Sequence, residues 1–372
     1  MNVLVLMSDQ HRWDTAGCCG HSIVKTPHID SLAQRGVRFA NAFTVAPLCI
    51  PSRTSWHTST YPHTNGVFNH PSYRHRSGIK WEPRLNNATP SLVCSLRNAG
   101  YQTHACGYLG ADESSNTSAQ SLGYQTNALL DAEYRATVGE EFYRRYHFAT
   151  IHSEMWEPSY FNVEGEPFPL EASKMWDVMT ADDAIRFMES RDSDRPFFLH
   201  VGFRAPHPPW CGPRAFHEMY SPDNVGPLPD YKLRHEHFPR RMMERFDYFD
   251  IRHYPEAMVR RSIAGYYGIV SYMDDCCGRI LAAMDRLGLR EDTLIIYSSD
   301  HGESLYRHGL CEKHSFFEDS IRIPLIFSMP AKLPSNQVND ALVENIDVMP
   351  TIFELAGIRL PEQIEGRSVL GA

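Results

Sequence analysis

Residues 293–302 read "TLIIYSSDHG", a short apolar run that stops abruptly on an aspartate, a histidine and a glycine. An unbroken apolar run of this length fits a strand covered on both faces, as in a parallel sheet between helical layers. The chain opens the same way. Residues 2–10 read "NVLVLMSDQ", an apolar run that ends on Ser8, Asp9 and Gln10.

Further strand-length runs stand at 102–106 ("QTHAC"), 197–201 ("FFLHV") and 324–328 ("PLIFS"), with helical patterns between them. The pattern over 28–36 closes on a C-cap glycine, and that over 89–100 starts on Thr-Pro and ends on glycine. A third, 180–191, opens with Thr180 and an aspartate in the manner of a capping box. The longest, about 255–288, carries one apolar stripe from Ile263 through Val270 and Cys277 to Met284, and Gly288 ends it. Strands alternating with helices predict an α/β fold, a mostly parallel central sheet with helices on both faces.

A chain of 372 residues is long enough for one large domain, and 1–372 is read as a single catalytic domain. Residues 111–175 and 211–255 are poorly periodic and rich in polar and aromatic residues. They are expected to leave the sheet as excursions that wall the site. The formal net charge of −9 is spread along the chain with no basic block, which argues against a nucleic-acid partner. No apolar run approaches the roughly 20 residues needed to span a bilayer, so no membrane partner is expected. Nine cysteines without zinc-type CxxC spacing fit a reducing compartment. The opening, which runs straight into a strand, reads as cytoplasmic rather than as a secretory leader.

In an open parallel sheet, ligands bind beyond the carboxyl ends of the strands. Taken singly, an aspartate there is more often a cap or a turn residue. Two at the ends of neighbouring strands repel unless a cation lies between them. Asp9, Gln10, Asp300 and His301 together make a mainly oxygen-donor set suited to Ca²⁺, Mg²⁺ or Mn²⁺, and the imidazole leans toward Mn²⁺ or Zn²⁺. Residues 48–53 read "LCIPSR". Pro51 suits the first turn of a helix, so Cys49 is expected just before a helix N-terminus. There the free N–H groups, and Arg53 one turn on, would stabilise negative charge. A buried cysteine before a capped helix is the competing reading.

Cys49-Ile50-Pro51-Ser52-Arg53 resembles the C-x-P-S-R signature of the sulfatases, members of the alkaline phosphatase superfamily. "TPHIDSLAQRGVRFANAF", "PFFLHVGFRAPHPPW", "TLIIYSSDHGESLYRHGL" and "IDVMPTIFELAGI" are similar to that family's segments in the same order. The resemblance implies a sulfuric ester hydrolase whose Cys49 is converted by a formylglycine-generating, sulfatase-maturating enzyme into formylglycine. It implies one divalent ion, Ca²⁺ first, with Mn²⁺, Mg²⁺ or Zn²⁺ as alternatives, held by Asp9, Gln10, Cys49, Asp300 and His301. Arg53, His207 and Lys313 would act with Cys49, and Tyr108, Asn69 and His70 would contact a small-molecule or saccharide sulfate ester. An oligomer is compatible with the pattern.

Two departures stand out. Most sulfatases carry Gly-Lys-x-His where this chain reads Gly107-Tyr108-Leu109-Gly110. A tyrosine at that position is similar to the phosphonate monoester hydrolases, which supplies the alternative of a phosphonate monoester or phosphodiester hydrolase. Loss of the lysine and histidine suggests a roomier, slacker site. A non-catalytic binding protein is the reading from another class, and retention of the whole metal set speaks against it. The second departure is that the family's small C-terminal antiparallel subdomain is expected to be missing or truncated after residue 372.

Overall fold

The computed structural model describes residues 1–69, 85–86, 89, 91–110, 118–128, 131–140, 143, 167–233, 238–239, 243 and 251–371. The apolar runs form strands β1 (Asn2–Ser8), β3 (Gln102–Gly107), β5 (Phe197–Gly202), β6 (Thr293–Ser299) and β7 (Leu325–Ser328). Three more strands were not anticipated: β2 (Val37–Phe43), β4 (Thr126–Ala128) and β8 (Gln337–Glu344). β2 and β8 are part-exposed and mixed in polarity, so no continuous apolar run marks them. The eight strands make one sheet in the order β4-β3-β5-β1-β6-β7-β2-β8. Only β7 runs antiparallel to its neighbours, β6 and β2.

Alternate residues of the strands feed two cores. Leu4, Leu6, Leu199, Val201 and Ile295 meet helices α1 (Pro27–Gln34), α4 (Trp176–Ser190) and α5 (Glu256–Arg286) on one face. Val3, Val5, Phe198 and Ile296 meet α3 (Leu92–Asn98) and α6 (Val348–Ala356) on the other, with Trp56 of α2 (Cys49–Thr58). A sheet buried on both sides needs near-continuous apolar strands, which is why these runs were legible.

Helix boundaries shift where local signals were ambiguous. α1 ends at Gln34 with Arg35 as its cap, and Gly36 follows for a different reason: a Cβ there would meet the Phe327 carbonyl oxygen at 2.1 Å. α4 begins at Trp176, four residues before Thr180. The Thr180 hydroxyl donates to the Trp176 carbonyl at 3.0 Å, so it is an interior helix residue and not a cap. The apolar period continues back through Trp176 and outweighs the capping pattern.

The excursion at 111–175 is not wholly outside the sheet, because β4 pairs parallel with β3. Its described part also sets Tyr134 and Tyr143 in a cluster with Trp176 and Tyr108. In 211–255, Tyr220, Val225, Tyr231 and Ile251 pack into the same core as α5. No described helix is long and apolar enough to cross a membrane.

Candidate active site

β1 and β6 are hydrogen-bonded neighbours in register, with Ser8 opposite Ser299. Parallel pairing therefore brings Asp9 and Asp300 out at the same edge. α2 starts from an extended Leu48, and Cys49 is its first residue rather than the residue before it, with Pro51 inside the first turn. The ligand-capable atoms of Asp9, Cys49, Asp300 and His301 lie within 4.8 Å of one another, all buried. Cys49 is present in this group as a free, buried thiol.

His301 is aimed by its own backbone neighbourhood. Its Nδ1–H donates to the Gly302 carbonyl at 2.9 Å, which turns Nε2 to Cys49 Sγ at 3.1 Å. Burial would lower the ring's pKa, yet Asp300 and Cys49 raise it, so an entering cation would displace the Nε2 proton. A ring nitrogen fixed in this way is how proteins present histidine to a metal. The Asp9 carboxyl is pushed up by burial and then by the charge of Asp300. Burial pushes Asp300 the same way, but the Arg53 guanidinium overrides it and holds that carboxyl below its usual range. Two buried carboxylates, an imidazole nitrogen and Cys49 in one group fit a divalent cation.

Arg53 lies one turn into α2 and is fully buried. Its Nε donates to Asp300 Oδ2 at 2.8 Å and one terminal nitrogen donates to the Tyr108 carbonyl at 2.7 Å. Lys313 Nζ donates to Gln10 Oε1 at 2.6 Å and reaches Cys49 Sγ at 3.3 Å. Burial would lower the Lys313 pKa, yet the neighbouring Cys49 and Asp9 raise it, so the ammonium stays charged. His207 Nδ1 donates to the Pro208 carbonyl at 2.7 Å, which leaves Nε2 open. Burial, then the charges of Lys313 and Arg204, push its pKa well down and keep the ring neutral.

Tyr108 follows β3 and is partly buried, its backbone N–H on the Gly202 carbonyl at 2.6 Å. The Arg53 guanidinium carbon sits 4.6 Å from the ring centroid and that of Arg204 at 5.7 Å. No described residue bonds the Tyr108 hydroxyl. Burial, then Cys49 and Asp9, raise its pKa well above normal, so it is a phenol donor. The room that a glycine leaves at position 110 is taken up by a neighbour. Gly110 has φ +68°, and a Cβ there would meet Arg53 Cδ at 2.3 Å, so Arg53 occupies the space that Gly110 leaves open. Asn69 lies in a described loop, partly buried. His70 lies outside the described residues.

Three supporting residues escaped the sequence reading. Glu303 is fully buried, accepts from Gln10 Nε2, and takes the amides of Leu305 and Glu312 at 2.8 and 2.6 Å. It therefore fixes the Gln10 amide with its oxygen toward Lys313. Asp177 of α4 accepts the Arg204 amide at 2.6 Å and so anchors the loop that carries His207. Arg12 ties Asp14 and Asp319 to the Glu303 and Ser304 carbonyls. Glu303 alone had a readable signal, its place three residues after Asp300. The other two look like ordinary surface charges in sequence.

The family described as Sulfatase matches residues 1–358. Choline-sulfatase of Rhizobium meliloti is 30% identical over 97% of this chain and 68% of its own length. The multifunctional alkaline phosphatase superfamily protein PehA of Trinickia caryophylli is 27% identical over 99% of this chain and 76% of its own. Among solved structures, phosphonate monoester hydrolase of Agrobacterium radiobacter superposes with a TM-score of 0.78 at 22% identity, covering 99% of this chain and 76% of that one.

Proposed function

The chain belongs to the sulfatase family, and on that premise we propose that it hydrolyses a sulfate ester with a nucleophile made from Cys49. The observation that carries this reading is the buried group of Asp9, Cys49, Asp300 and His301 within 4.8 Å, with the Lys313 ammonium 3.3 Å from Cys49 Sγ. Asp9, Asp300, His301 and residue 49 would hold a divalent cation, Ca²⁺ first by its preference for carboxylate oxygens, with Gln10 as a further oxygen donor. When bound, that ion would polarise an ester oxygen and favour the ionised nucleophile.

The protein's own side chains do the rest. Residue 49 attacks sulfur from the start of α2, where unpaired N–H groups favour negative charge, as the bond from sulfur to the alcohol oxygen breaks. Net uptake of one water then frees the sulfate from residue 49. Arg53 and Lys313 meet the charge that develops on oxygen and are already oriented by Asp300 and Gln10, so little reorganisation is needed. His207, neutral with Nε2 open, presents a hydrogen-bond acceptor at that nitrogen. The Tyr108 hydroxyl donates to a non-bridging oxygen. A phosphonate monoester or phosphodiester is the second reading, and the tyrosine at position 108 is what favours it.

Mass spectrometry of the peptide over residues 42–57, with parallel assays on an aryl sulfate and an aryl phosphonate, tests both readings. Formylglycine at position 49 with faster aryl sulfate turnover is the expected result. Activity in protein whose Cys49 is wholly unmodified, or undiminished turnover in Cys49→Ala, refutes the nucleophile. Preference for the phosphonate selects the second reading.

A further inference from the structure

Away from the active site, a second group of described residues combines imidazole, thiol and carboxylate. His104 and Cys106 lie two apart on β3 and so share a face of the strand, the face turned to α4. Asp183 of α4 meets them there, and the ligand-capable atoms of the three lie within 4.8 Å of one another. The imidazole is held flat against Phe187, one turn along α4 from Asp183, at 4.6 Å and 6°. Its Nδ1 lies 2.7 Å from Thr126 Oγ1 and its Nε2 lies 2.8 Å from Asp183 Oδ2. The other Asp183 oxygen accepts from Arg186 at 2.9 Å. Cys106 is fully buried, and among the described residues its thiol reaches the His200 carbonyl, at 3.8 Å.

We propose that His104, Cys106 and Asp183 form a second metal site, for Zn²⁺ or a similar borderline transition ion. One nitrogen, one thiolate sulfur and one carboxylate oxygen form a zinc donor set, and water reaching the partly exposed Asp183 completes four-coordination. In the metal-free protein Nε2–H donates to Asp183 Oδ2 and Nδ1 accepts from the Thr126 hydroxyl. Binding would move the ring proton to Nδ1, where Thr126 Oγ1 accepts it, and free the Nε2 lone pair for the metal, the arrangement expected of a ligating histidine. Two anionic ligands balance the dication, and the Arg186 cation on the outer Asp183 oxygen stays at the solvent side. Binding displaces one proton from the Cys106 thiol to solvent as the metal–sulfur bond forms.

Ordinary zinc bond lengths place ligand atoms about 3.3–3.6 Å apart. The His104–Asp183 pair must therefore open by about half an ångström while the thiol turns inward. The ion would tie α4 to the strand that leads into Tyr108. The alternative is a metal-free hydrogen-bonded pair buttressing a stacked ring.

Cobalt(II) titration of Cys49→Ala protein separates the two. That substitution removes the thiol of the active-site cluster, so a near-ultraviolet thiolate-to-cobalt absorption reports a site elsewhere. The band is expected in Cys49→Ala and should vanish in Cys49→Ala/Cys106→Val and in Cys49→Ala/His104→Gln, both checked for folding by far-ultraviolet circular dichroism. It should persist in Cys49→Ala/Cys18→Ser/Cys19→Ser, which removes the neighbouring Cys18–Cys19 pair. Competition with a chromophoric chelator should show zinc affinity about a hundredfold weaker, or more, without Cys106. No band in Cys49→Ala, a band surviving either ligand substitution, or loss with Cys18 and Cys19 overturns the assignment. The first and last of these need no folded ligand variant.

Discussion

Replacing Arg53 with methionine isolates what one guanidinium does between two carboxylates. Arg53 is buried against Asp300 at 2.8 Å and Asp9 at 3.5 Å. Methionine keeps much of the apolar stem and removes the charge, leaving both carboxylates buried without it. Removing one partner of such a group costs about 3–5 kcal/mol. At about 2.1 cal/mol/K per residue, a chain of this length unfolds with an entropy of roughly 0.8 kcal/mol/K, so the metal-free protein should melt about 4–6 °C lower. A divalent cation between the same carboxylates replaces the missing charge, so excess Ca²⁺ should recover more than half of that difference. For the same reason Arg53→Met should bind Ca²⁺ no more weakly than wild type, whereas Asp9→Asn or Asp300→Asn should bind it far more weakly. Scanning calorimetry in chelator and in Ca²⁺, with calcium titration calorimetry, reads all three quantities. A change under 1 °C in chelator, or an equal deficit with and without Ca²⁺, refutes the electrostatic account.

Other outcomes follow from single contacts. Tyr108→Phe keeps the ring over Arg53 and removes only a hydroxyl with no described protein partner. kcat/KM should fall tenfold or more, about 1.4 kcal/mol, at unchanged melting temperature, and unchanged kinetics on both sulfate and phosphonate esters would make Tyr108 a wall residue. Gly110→Thr would put a β-branched residue at φ +68° with its Cβ on Arg53. It should lower both stability and kcat, with Gly110→Ala intermediate, and a stable, active threonine variant would contradict the packing. Asp274 of α5 takes the Ile29 and His28 amides at 2.7 and 3.2 Å, yet burial holds its carboxyl at about 7. The unfolded group titrates near about 3.9, so the folded state binds the extra proton between those values. Its contribution to stability is full below about pH 4 and is lost as the pH rises to about 7. Asp274→Asn should flatten the fall in melting temperature across that window, and an undiminished slope would count against it.

Legibility followed burial. β1, β5 and β6 are covered on both faces, and their unbroken apolar runs could be read directly. β8 lies at the sheet edge with Val338 and Leu342 exposed, so it offers no such run. Residues at the strand ends were readable because topology alone assigns them to one edge of the sheet. What sequence could not show was mutual support: that Glu303 orients Gln10, that Asp177 pins the loop of His207, and that Gly110 makes way for Arg53. Each joins residues from different elements, and the partner is set by three-dimensional packing rather than by spacing.

The same packing bears on which esters suit the site. Asp9 and Asp300 carry two negative charges, and Arg53 and Lys313 carry two positive ones, all buried. His207 adds none, because burial keeps it neutral. A divalent cation therefore brings these groups to a surplus of two, and the Arg204 guanidinium, 5.7 Å from the Tyr108 ring centre, adds a further positive charge. An ionised nucleophile and an anionic ester would offset that surplus as they enter, so such a site suits anionic esters better than neutral ones. The phenol at 108 and the glycine at 110 add no charge to this sum, and Arg53 fills the space beside Gly110.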